Sequence, residues 1–130
     1  HKSLLGHSDA DVLIHSVIDA LIGALALGDI GKLFPDTDNK YKNIDSRILL
    51  REVAKIMNDD YGYTVNNLDT TIIAQSPKLS PYIEDMKTNL AADLNVEVDQ
   101  VSVKAKSSEG IGVVGRGEAI VAEAVILLIR

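Results

Sequence analysis

The sequence predicts an α+β fold built around a small mixed β-sheet. Segments with helical and strand-like hydrophobic periods follow one another in the order α, α, β, β, α, β, β. This order is typical of an α+β domain. The 130 residues suit a single domain, residues 1–130, and its core must be aliphatic because the chain has four Tyr, one Phe and no Trp.

The first predicted helix covers residues 9–27 and ends at Gly28. Ser8 can cap it, and an acidic residue three positions later completes a capping-box pattern. An apolar stripe predicts its buried face: Val12, Ile14, Val17, Ile18, Leu21, Ile22 and Leu25. Polar residues spaced by four share another face: Asp11, His15 and Asp19. This row fits the wall of a site, although a helical His beside acids is more often simply solvated.

The middle of the chain predicts a helix followed by a hairpin. Asp45 caps a helix over residues 46–57, which ends at Asn58-Asp59-Asp60. Strands follow over residues 63–65 and 68–75, and Asn66-Asn67 forms the turn between them.

The last part of the chain predicts one helix and two strands. Ser80 caps the helix, and Pro81 occupies its first position, where a missing N–H costs nothing. Residues 101–106 alternate cleanly as a strand, and residues 119–129, with their β-branched content, form the final strand.

Composition excludes several classes of protein. The net charge is −6, and no cluster of Lys or Arg suggests a nucleic-acid surface. The absence of Cys excludes disulfides and thiolate metal sites, so a zinc site would need His and carboxylate ligands. No apolar run approaches the roughly 20 residues of a membrane span, and we see no signal peptide. We expect a cytoplasmic protein, or a plastid-type one if a targeting segment has been removed.

Three polar segments have both a structural and a functional interpretation. The aspartates of the Gly/Pro-rich segment 28–38 most often form turns, but their carboxylates could also bind hydroxyl groups or a divalent ion. Segment 74–78 lies between a strand and a helix, where N–H groups and Lys78 could meet a phosphate or a base. Segment 106–109 offers hydroxyls for a phosphoryl group and a carboxylate for Mg²⁺, or is a polar turn.

A glycine motif, G-x-G-x-x-G over residues 110–115, does not predict a dinucleotide site. That fingerprint must open a helix within a βαβ unit, whereas a strand-like run follows here. The segment is either a turn between strands or a loop whose backbone approaches a ligand closely.

Taken together, these motifs resemble the 2-C-methyl-D-erythritol 2,4-cyclodiphosphate synthase family over essentially the whole chain. The resemblance depends on their order and spacing: His7-Ser8-Asp9-x-Asp11-x-x-x-His15, GDIGKLFPDTD over residues 28–38, Asp45-Ser46-Arg47, Ile72-Ile73-Ala74-Gln75-x-Pro77-Lys78, and Gly115-Arg116-Gly117-Glu118. It implies an intramolecular phosphoryl transfer in the non-mevalonate isoprenoid pathway, with release of CMP. It also implies a homotrimer with active sites between subunits, and an apolar or prenyl-phosphate guest is possible on its axis.

The resemblance assigns roles to individual residues. His15 matches a ligand of zinc or a similar divalent transition metal, and Glu109 matches a Mg²⁺ or Mn²⁺ carboxylate. His7 and Ser107 match the catalytic positions near the reacting phosphates. Segment 29–31 matches the part that holds erythritol hydroxyls, segment 34–38 a flexible substrate loop and segment 74–80 the cytosine pocket. Substrate contacts are implied for His7, Ser8, Asp29, Ile30, Gly31, Phe34, Pro35, Asp36, Thr37, Asp38, Ala74, Gln75, Ser76, Pro77, Lys78, Leu79, Ser80, Lys106, Ser107, Ser108, Glu109, Val113 and Arg116.

The sequence departs from the family pattern at three points. The family completes its zinc site with Asp-x-His on an N-terminal strand, which this sequence does not contain, so the chain as written should bind zinc poorly and be inactive. Ser107 replaces the usual Thr and keeps the hydroxyl. Val113 stands where an aromatic residue is common, and Arg116 matches the arginine at the trimer axis.

We therefore expect helices on one face of a four- or five-stranded mixed sheet, with the other face packed around a threefold axis. Two other functions remain open. One is a non-catalytic trimeric ligand-binding module, and the other is a simple zinc hydrolase. Binding of a cytidine nucleotide would separate the synthase from both.

Overall fold

The computed structural model describes residues 2–34, 45–74, 79–107, 112–115 and 120–130, and for residues 2–8, 113 and 115 it describes the backbone alone. Five helices, two 3₁₀ turns and three strands lie in this part of the chain. In chain order they are α1 (Lys2–Ala24), α2 (Ile30–Leu33), α3 (Ser46–Tyr61), β1 (Thr64–Ile73), a 3₁₀ turn (Ser80–Tyr82), α4 (Ile83–Leu94), a second 3₁₀ turn (Val98–Gln100), β2 (Val101–Lys106), α5 (Gly112–Gly115) and β3 (Val121–Ile129).

The three strands form one mixed sheet in the order β2-β1-β3. Strand β1 pairs in parallel with β2 and antiparallel with β3. Helix α1 packs against β3 and β1, and α4 packs against β2. The α+β class and the small mixed sheet are confirmed, but the described residues form three strands rather than the expected four or five.

Helix α1 differs from its prediction at both ends. Its helical backbone begins at Lys2, so Ser8 lies within the helix and not at an N-cap. It ends at Ala24 because Ala26 adopts a left-handed conformation (φ 56°). The Leu27 N–H then donates to the Ile22 carbonyl at 3.0 Å, which closes the helix in a Schellman-type turn.

Helix α3 is longer than predicted. The Asp45 carboxylate accepts a hydrogen bond from the Arg47 N–H at 2.8 Å, so the predicted N-cap is confirmed. The Asn58-Asp59-Asp60 run does not end the helix, since Lys55 and Asp59 form an ion pair of 2.7 Å one turn apart. The helix continues to Tyr61 and ends at Gly62, whose left-handed conformation (φ 71°) is one that glycine adopts without strain.

Strand β1 is continuous, so the predicted hairpin with a turn at Asn66-Asn67 is wrong. The pairing with β3 moves from Val65–Leu128 to Asn67–Leu127, which leaves Asn66 as the extra residue of a β-bulge. Gln100 Nε2 donates to the Asn66 carbonyl at 2.8 Å, so the carbonyl group of the bulged residue has a hydrogen-bond partner. Asn66 and Asn67, which favour a turn by their local sequence, therefore lie within a ten-residue strand.

The core lies between the sheet and helices α1, α3 and α4. Leu13 of α1 is fully buried although the predicted stripe omitted it, whereas Val12 and Leu25 of that stripe are only half-buried. Pro81 lies in a 3₁₀ turn ahead of α4, and Ser80 is the first residue of that turn rather than the predicted N-cap, since Leu79 precedes the turn and Tyr82 precedes α4. None of the helices in the described part of the chain combines the length and apolar character needed to cross a membrane.

A candidate site at the ends of two parallel strands

Two candidate segments meet at one edge of the sheet. Strands β1 and β2 are parallel and in register, with Ile73 opposite Lys106. The Ala74 N–H donates to the Lys106 carbonyl at 3.1 Å. Segments 74–80 and 106–109 begin where β1 and β2 end, so their first residues are adjacent. Ala74 and Lys106 are nevertheless 32 positions apart in the sequence.

The described residues of these segments differ in exposure. Lys106 and Ser107 are exposed at the end of β2, and Ser80 is exposed ahead of α4. Ala74 and Leu79 are buried in the core. The six remaining predicted contacts of these segments lie outside the described residues and stay predictions: Gln75, Ser76, Pro77, Lys78, Ser108 and Glu109.

The start of β3 lies at the same edge, and His15 faces it across a groove. Val121 is opposite Ile73 in the sheet, so β3 begins where β1 ends. A groove of about 490 Å³ lies between α1 and β3 and is lined by His15, Ser16, Asp19, Ala20, Ala122, Glu123 and Ala124. This groove brings His15 to the edge at which the two polar segments emerge.

His15 is placed as the helical period predicts. Its Nε2 lies 3.5 Å from Asp11 Oδ2, one turn earlier in α1. The two side chains are 47% and 55% exposed, so both can reach a ligand in solvent. The neighbouring Ser16 hydroxyl donates to the Leu13 carbonyl at 2.7 Å and is used within the helix.

The chemistry of the groove fits a zinc site in part. Zinc in proteins takes imidazole nitrogen and carboxylate oxygen, and His15, Asp11 and Asp19 supply both types of donor on one helix face. Within residues 2–34, 45–74, 79–107, 112–115 and 120–130, no three His, Asp or Glu residues lie close enough together to hold an ion. Further ligands would have to come from other residues. Glu109 and the side chains of His7 and Ser8 lie outside what the structure describes.

Segment 29–34 has a local structural role. The Asp29 carboxylate caps the short helix α2 by accepting a hydrogen bond from the Lys32 N–H at 3.0 Å. This helix was not predicted, and it supports the interpretation of Asp29 as a turn former and cap. Phe34 is buried in the core. Pro35, Asp36, Thr37 and Asp38 lie outside the described residues.

Gly31 has no close neighbour among the described residues that would require glycine. A Cβ added there would lie 3.5 Å from Asp29 Oδ1, which is an ordinary contact. Asp29, Ile30 and Gly31 do not line the groove that contains His15.

The glycine motif contains a short helix, α5, that sequence reasoning did not foresee. Gly112 has a positive φ of 74°, and Val114 is buried. The described residues around the motif do not form the parallel βαβ unit of a dinucleotide fold, because β2 is parallel and β3 antiparallel to β1, so the two strands that flank α5 run in opposite directions. Arg116 and the side chain of Val113 are outside the described part.

Sequence reasoning missed Asp9. Its carboxylate is fully buried in α1, and neither oxygen has a hydrogen-bond partner among the described residues. Burial raises the pKa of Asp9 above the ordinary value of 3.8. The sequence does contain a signal for the burial of Asp9, which is its spacing. Asp9 precedes the buried Leu13 and Val17 by four and eight positions and thus lies on the core face of α1.

The Asp45-Ser46-Arg47 motif lines a second groove of about 440 Å³, together with Ala10, Asp11, Ile14 and Asn89. Asp45 is the α3 cap, and Ser46 is buried. Arg47 donates two hydrogen bonds to the buried Asp93, of 2.8 and 3.0 Å. The motif therefore has structural roles in holding α3 against α4.

Comparison with known proteins places these features in a family. The model of the YgbB family matches residues 1–129. A protein of Clostridium acetobutylicum named 2-C-methyl-D-erythritol 2,4-cyclodiphosphate synthase is 56% identical over 128 residues, which cover 98% of this chain and 82% of the relative. A protein of the same name from Finegoldia magna is 59% identical over 127 residues, covering 98% of this chain and 79% of the relative.

Solved structures agree with this similarity. The IspF of Plasmodium falciparum, in a complex with CDP, superposes with a TM-score of 0.79 at 37% identity and covers 91% of this chain and 70% of that one. The bifunctional IspDF of Campylobacter jejuni gives a TM-score of 0.83 at 39% identity, over 90% of this chain and 31% of that longer one.

Proposed function

The chain belongs to the YgbB family, and we infer that it catalyses the reaction for which its relatives are named. It converts 4-diphosphocytidyl-2-C-methyl-D-erythritol 2-phosphate into 2-C-methyl-D-erythritol 2,4-cyclodiphosphate and CMP. Among the structural observations, the strongest support comes from the meeting of three chain segments at one sheet edge, where β1 and β2 end and β3 begins beside the His15 groove.

The reaction is an intramolecular phosphoryl transfer. An oxygen of the 2-phosphate attacks the β-phosphorus, the bond from that phosphorus to the α,β-bridging oxygen breaks, and CMP leaves with the bridging oxygen. Catalysis of this kind requires little covalent chemistry from the protein, which has to fold the substrate back on itself and stabilise the charge that develops on its oxygens. A sheet edge with exposed polar side chains, such as those of Lys106 and Ser107, suits that task.

We assign segment 106–109 to the diphosphate and segment 74–80 to the cytosine. Lys106 carries a positive charge at the end of β2, and the Ser107 hydroxyl can donate to a phosphoryl oxygen. The Ala74 N–H already donates to the Lys106 carbonyl, so other backbone groups of segment 74–80 would have to hydrogen-bond to the cytosine. The hydrogen bond between the two segments makes them adjacent, which supports assigning the base to one and the diphosphate of the same ligand to the other.

We propose two cation sites. His15 would hold zinc or a similar transition metal in the groove beside β3, and Glu109 would hold Mg²⁺. When bound, such cations polarise phosphate oxygens and offset their negative charge, so a chain of net charge −6 can bind an anionic substrate. His7 would lie near the reacting phosphates, with Ser8 beside it.

We also propose that the active unit is a homotrimer with sites between subunits. Asp29, Ile30 and Gly31 do not share the His15 groove within one chain, so a neighbouring copy would bring the erythritol-binding segment 29–31 to it. The exposed apolar side chains of β3 would face the axis, where Val113 and Arg116 would contribute contacts. An apolar or prenyl-phosphate guest on this axis is the corresponding proposal for a partner.

The reaction itself tests this proposal. We would supply the full-length protein with the cytidyl substrate, Zn²⁺ and Mg²⁺, and follow the products by ³¹P NMR and nucleotide chromatography. Equal amounts of CMP and cyclic diphosphate are expected. A zinc hydrolase would add water and yield a linear bisphosphate with CMP, and a binding module would leave the substrate intact. Either result would overturn the assignment.

Variants at Ser107 test its assigned role. Ser107→Ala removes the hydroxyl and should lower kcat by about 10²–10³-fold, the usual loss for one electrostatic contact in a transition state. Ser107→Thr keeps the hydroxyl and should retain most activity. Ser102→Ala is the control, since Ser102 is also exposed on β2 but lies away from its end. Equal rates for the Ala variants at positions 107 and 102 would contradict the assignment.

A further inference from the structure

An ion pair lies on the sheet face opposite the helices, next to the strand end that we assign to the diphosphate. Lys104 Nζ lies 3.0 Å from Asp69 Oδ2, and the two side chains are 48% and 46% exposed. Lys104 and Lys106 share this face of β2, because side chains alternate along a strand, and their Cα atoms are about 6.6 Å apart. Two positive charges and one negative charge therefore lie close together at the end of β2.

Asp69 is coupled to both lysines. The hydrogen bond from Lys104 lowers the pKa of Asp69 below its ordinary value of 3.8, and the charge of Lys106 lowers it further. Asp69 is therefore ionised at neutral pH and offsets the charge of Lys104. The described residues include no ion pair of Lys106, so its charge is the uncompensated one at this strand end.

We propose that Asp69 is a specificity-determining residue, which holds Lys104 and so limits the cationic charge presented to the diphosphate to that of Lys106. This inference rests on the proposed function, in which segment 106–109 binds the diphosphate. A lysine released from its partner can swing its flexible stem along the strand and add a second positive charge. Such a site would select ligands by negative charge alone and would distinguish the substrate less well from nucleoside triphosphates.

The size of the effect follows from Coulomb's law. One unit charge about 8 Å from another in water changes affinity by about two- to threefold. A diphosphate has more negative charge than a monophosphate, so release of Lys104 should strengthen its binding more. Lys104 is exposed, so dissolved salt should screen the effect.

Binding of CMP, CDP and CTP to the full-length protein, measured by isothermal titration calorimetry, tests this inference. At about 20 mM salt, where screening is weak, Asp69→Asn should strengthen CDP binding about three- to tenfold. The gain should be smaller for CMP and larger for CTP, and it should largely vanish at about 0.5 M salt. Damage to the fold or to an assembly would weaken binding, so it would not produce a gain that grows with the number of phosphates.

Two further variants complete a double-mutant cycle. Lys104→Ala leaves Asp69 unpaired and should weaken CDP binding by about twofold or more, again more for CTP than for CMP. Asp69→Asn combined with Lys104→Ala restores the original net charge and should return the affinity to near the wild-type value. Asp59→Asn is the matched control, because it frees Lys55 from an exposed ion pair of 2.7 Å on α3, which packs against α1 and α4, and should change CDP affinity little.

The outcomes separate this inference from the proposed function. If the wild-type protein turns over substrate but Asp69→Asn gains no affinity, or gains equally for all three nucleotides, the role of Asp69 is wrong and the enzyme assignment stands. A wild-type protein that binds none of the nucleotides would overturn the proposed function and this inference together. If thermal unfolding shows that Asp69→Asn does not fold, Lys104→Ala decides, since its loss of affinity must also grow from CMP to CTP.

Discussion

At Asp9, a carboxylate occupies a helix position that the apolar period assigns to the core. The side chain is fully buried, and its two oxygens have no partner among the described residues. Removing an ionised carboxylate from water without compensating hydrogen bonds is costly, so burial raises the pKa of Asp9 and favours the protonated form. Asp9 is therefore expected to make folding stability depend on pH.

The sign of that dependence is fixed by the direction of the shift. The pKa of Asp9 lies above the ordinary value of 3.8 in the folded protein, so the folded state holds the proton more tightly than the unfolded state. The contribution of Asp9 to stability is then greatest below 3.8 and declines as the pH rises through the folded pKa. Asp9→Asn cannot ionise, so this variant should gain stability relative to the wild type as the pH rises above about 4.

Urea unfolding at a series of pH values measures this difference. Asp99→Asn, at an exposed position in the second 3₁₀ turn, is the control and should show no such trend. A difference between Asp9→Asn and the wild type that stays constant with pH would mean that donors outside the described residues satisfy the carboxylate.

Among the secondary-structure elements, α3 and α4 are joined by a buried ion pair. Asp93 of α4 is 1% exposed and receives three hydrogen bonds from two arginines of α3. Arg47 binds both carboxylate oxygens, whereas Arg51 binds Oδ1 alone, at 3.2 Å. The pair with Asp93 raises the pKa of Arg47. The two arginines are thus unequal partners of one buried charge.

This inequality gives a prediction about stability. Arg47→Met removes the donor to Oδ2 and leaves a buried charge only partly compensated, which should lower the free energy of unfolding by about 3 kcal/mol. Arg51→Met leaves the bidentate pair intact and should cost about 1 kcal/mol or less, in the range of exposed ion pairs. Chemical denaturation of both variants provides the measurement, and each serves as the control for the other. Equal losses would contradict the unequal roles.

Elements with local signals were predictable from the sequence. The Asp45 cap and strand β2 were correctly placed because their signals lie within a few residues. The Asn66-Asn67 pair misled the prediction because pairing with β3 and the bulge bonded to Gln100 override a local turn signal. Propensity is weaker than the hydrogen bonds and packing of a formed sheet.

The candidate site likewise has one part that local sequence spacing predicts and another part that it does not. The row of Asp11 and His15 follows from helical spacing and was predicted. The contact of Ala74 with Lys106 depends on parallel pairing of two distant strands, for which no spacing rule exists in the sequence. The family resemblance predicts that these segments share a site, and the parallel pairing of β1 and β2 brings the two strand ends together.

For the whole molecule, the two faces of the sheet differ in what covers them. The inner face packs against α1 and α4. On the outer face of β3, within the described chain, four apolar side chains remain 38–71% exposed: Val121, Val125, Leu127 and Ile129. Glu123 lies between Val121 and Val125 on this face, so Val125, Leu127 and Ile129 form the unbroken apolar row, and such a row on a small protein marks an interaction surface. It is the physical support in this structure for the proposed trimer.

A charge in this row tests the assembly. Leu127 is 55% exposed, and the residue directly opposite it in the sheet is the uncharged Asn67. Asp69, two residues further along β1, is already paired with Lys104 at 3.0 Å, so Leu127→Glu meets no unpaired acid directly across the sheet. The single chain should tolerate it with little loss of stability. Packed against copies around a threefold axis, the same Glu would be repeated three times in an apolar interface, where burial of unpaired charges costs several kcal/mol per ion.

We therefore expect the wild-type protein to have the mass of a trimer by light scattering, and Leu127→Glu to dissociate into smaller species. Since the proposed sites lie between subunits, cytidine nucleotide binding should fall together with the mass. Thr88→Glu adds the same charge at an exposed position of α4, on the helical side of the sheet, and should keep both mass and binding. A wild-type monomer that binds the nucleotide, or a Leu127→Glu variant that remains trimeric, would show that the exposed row of β3 has another purpose.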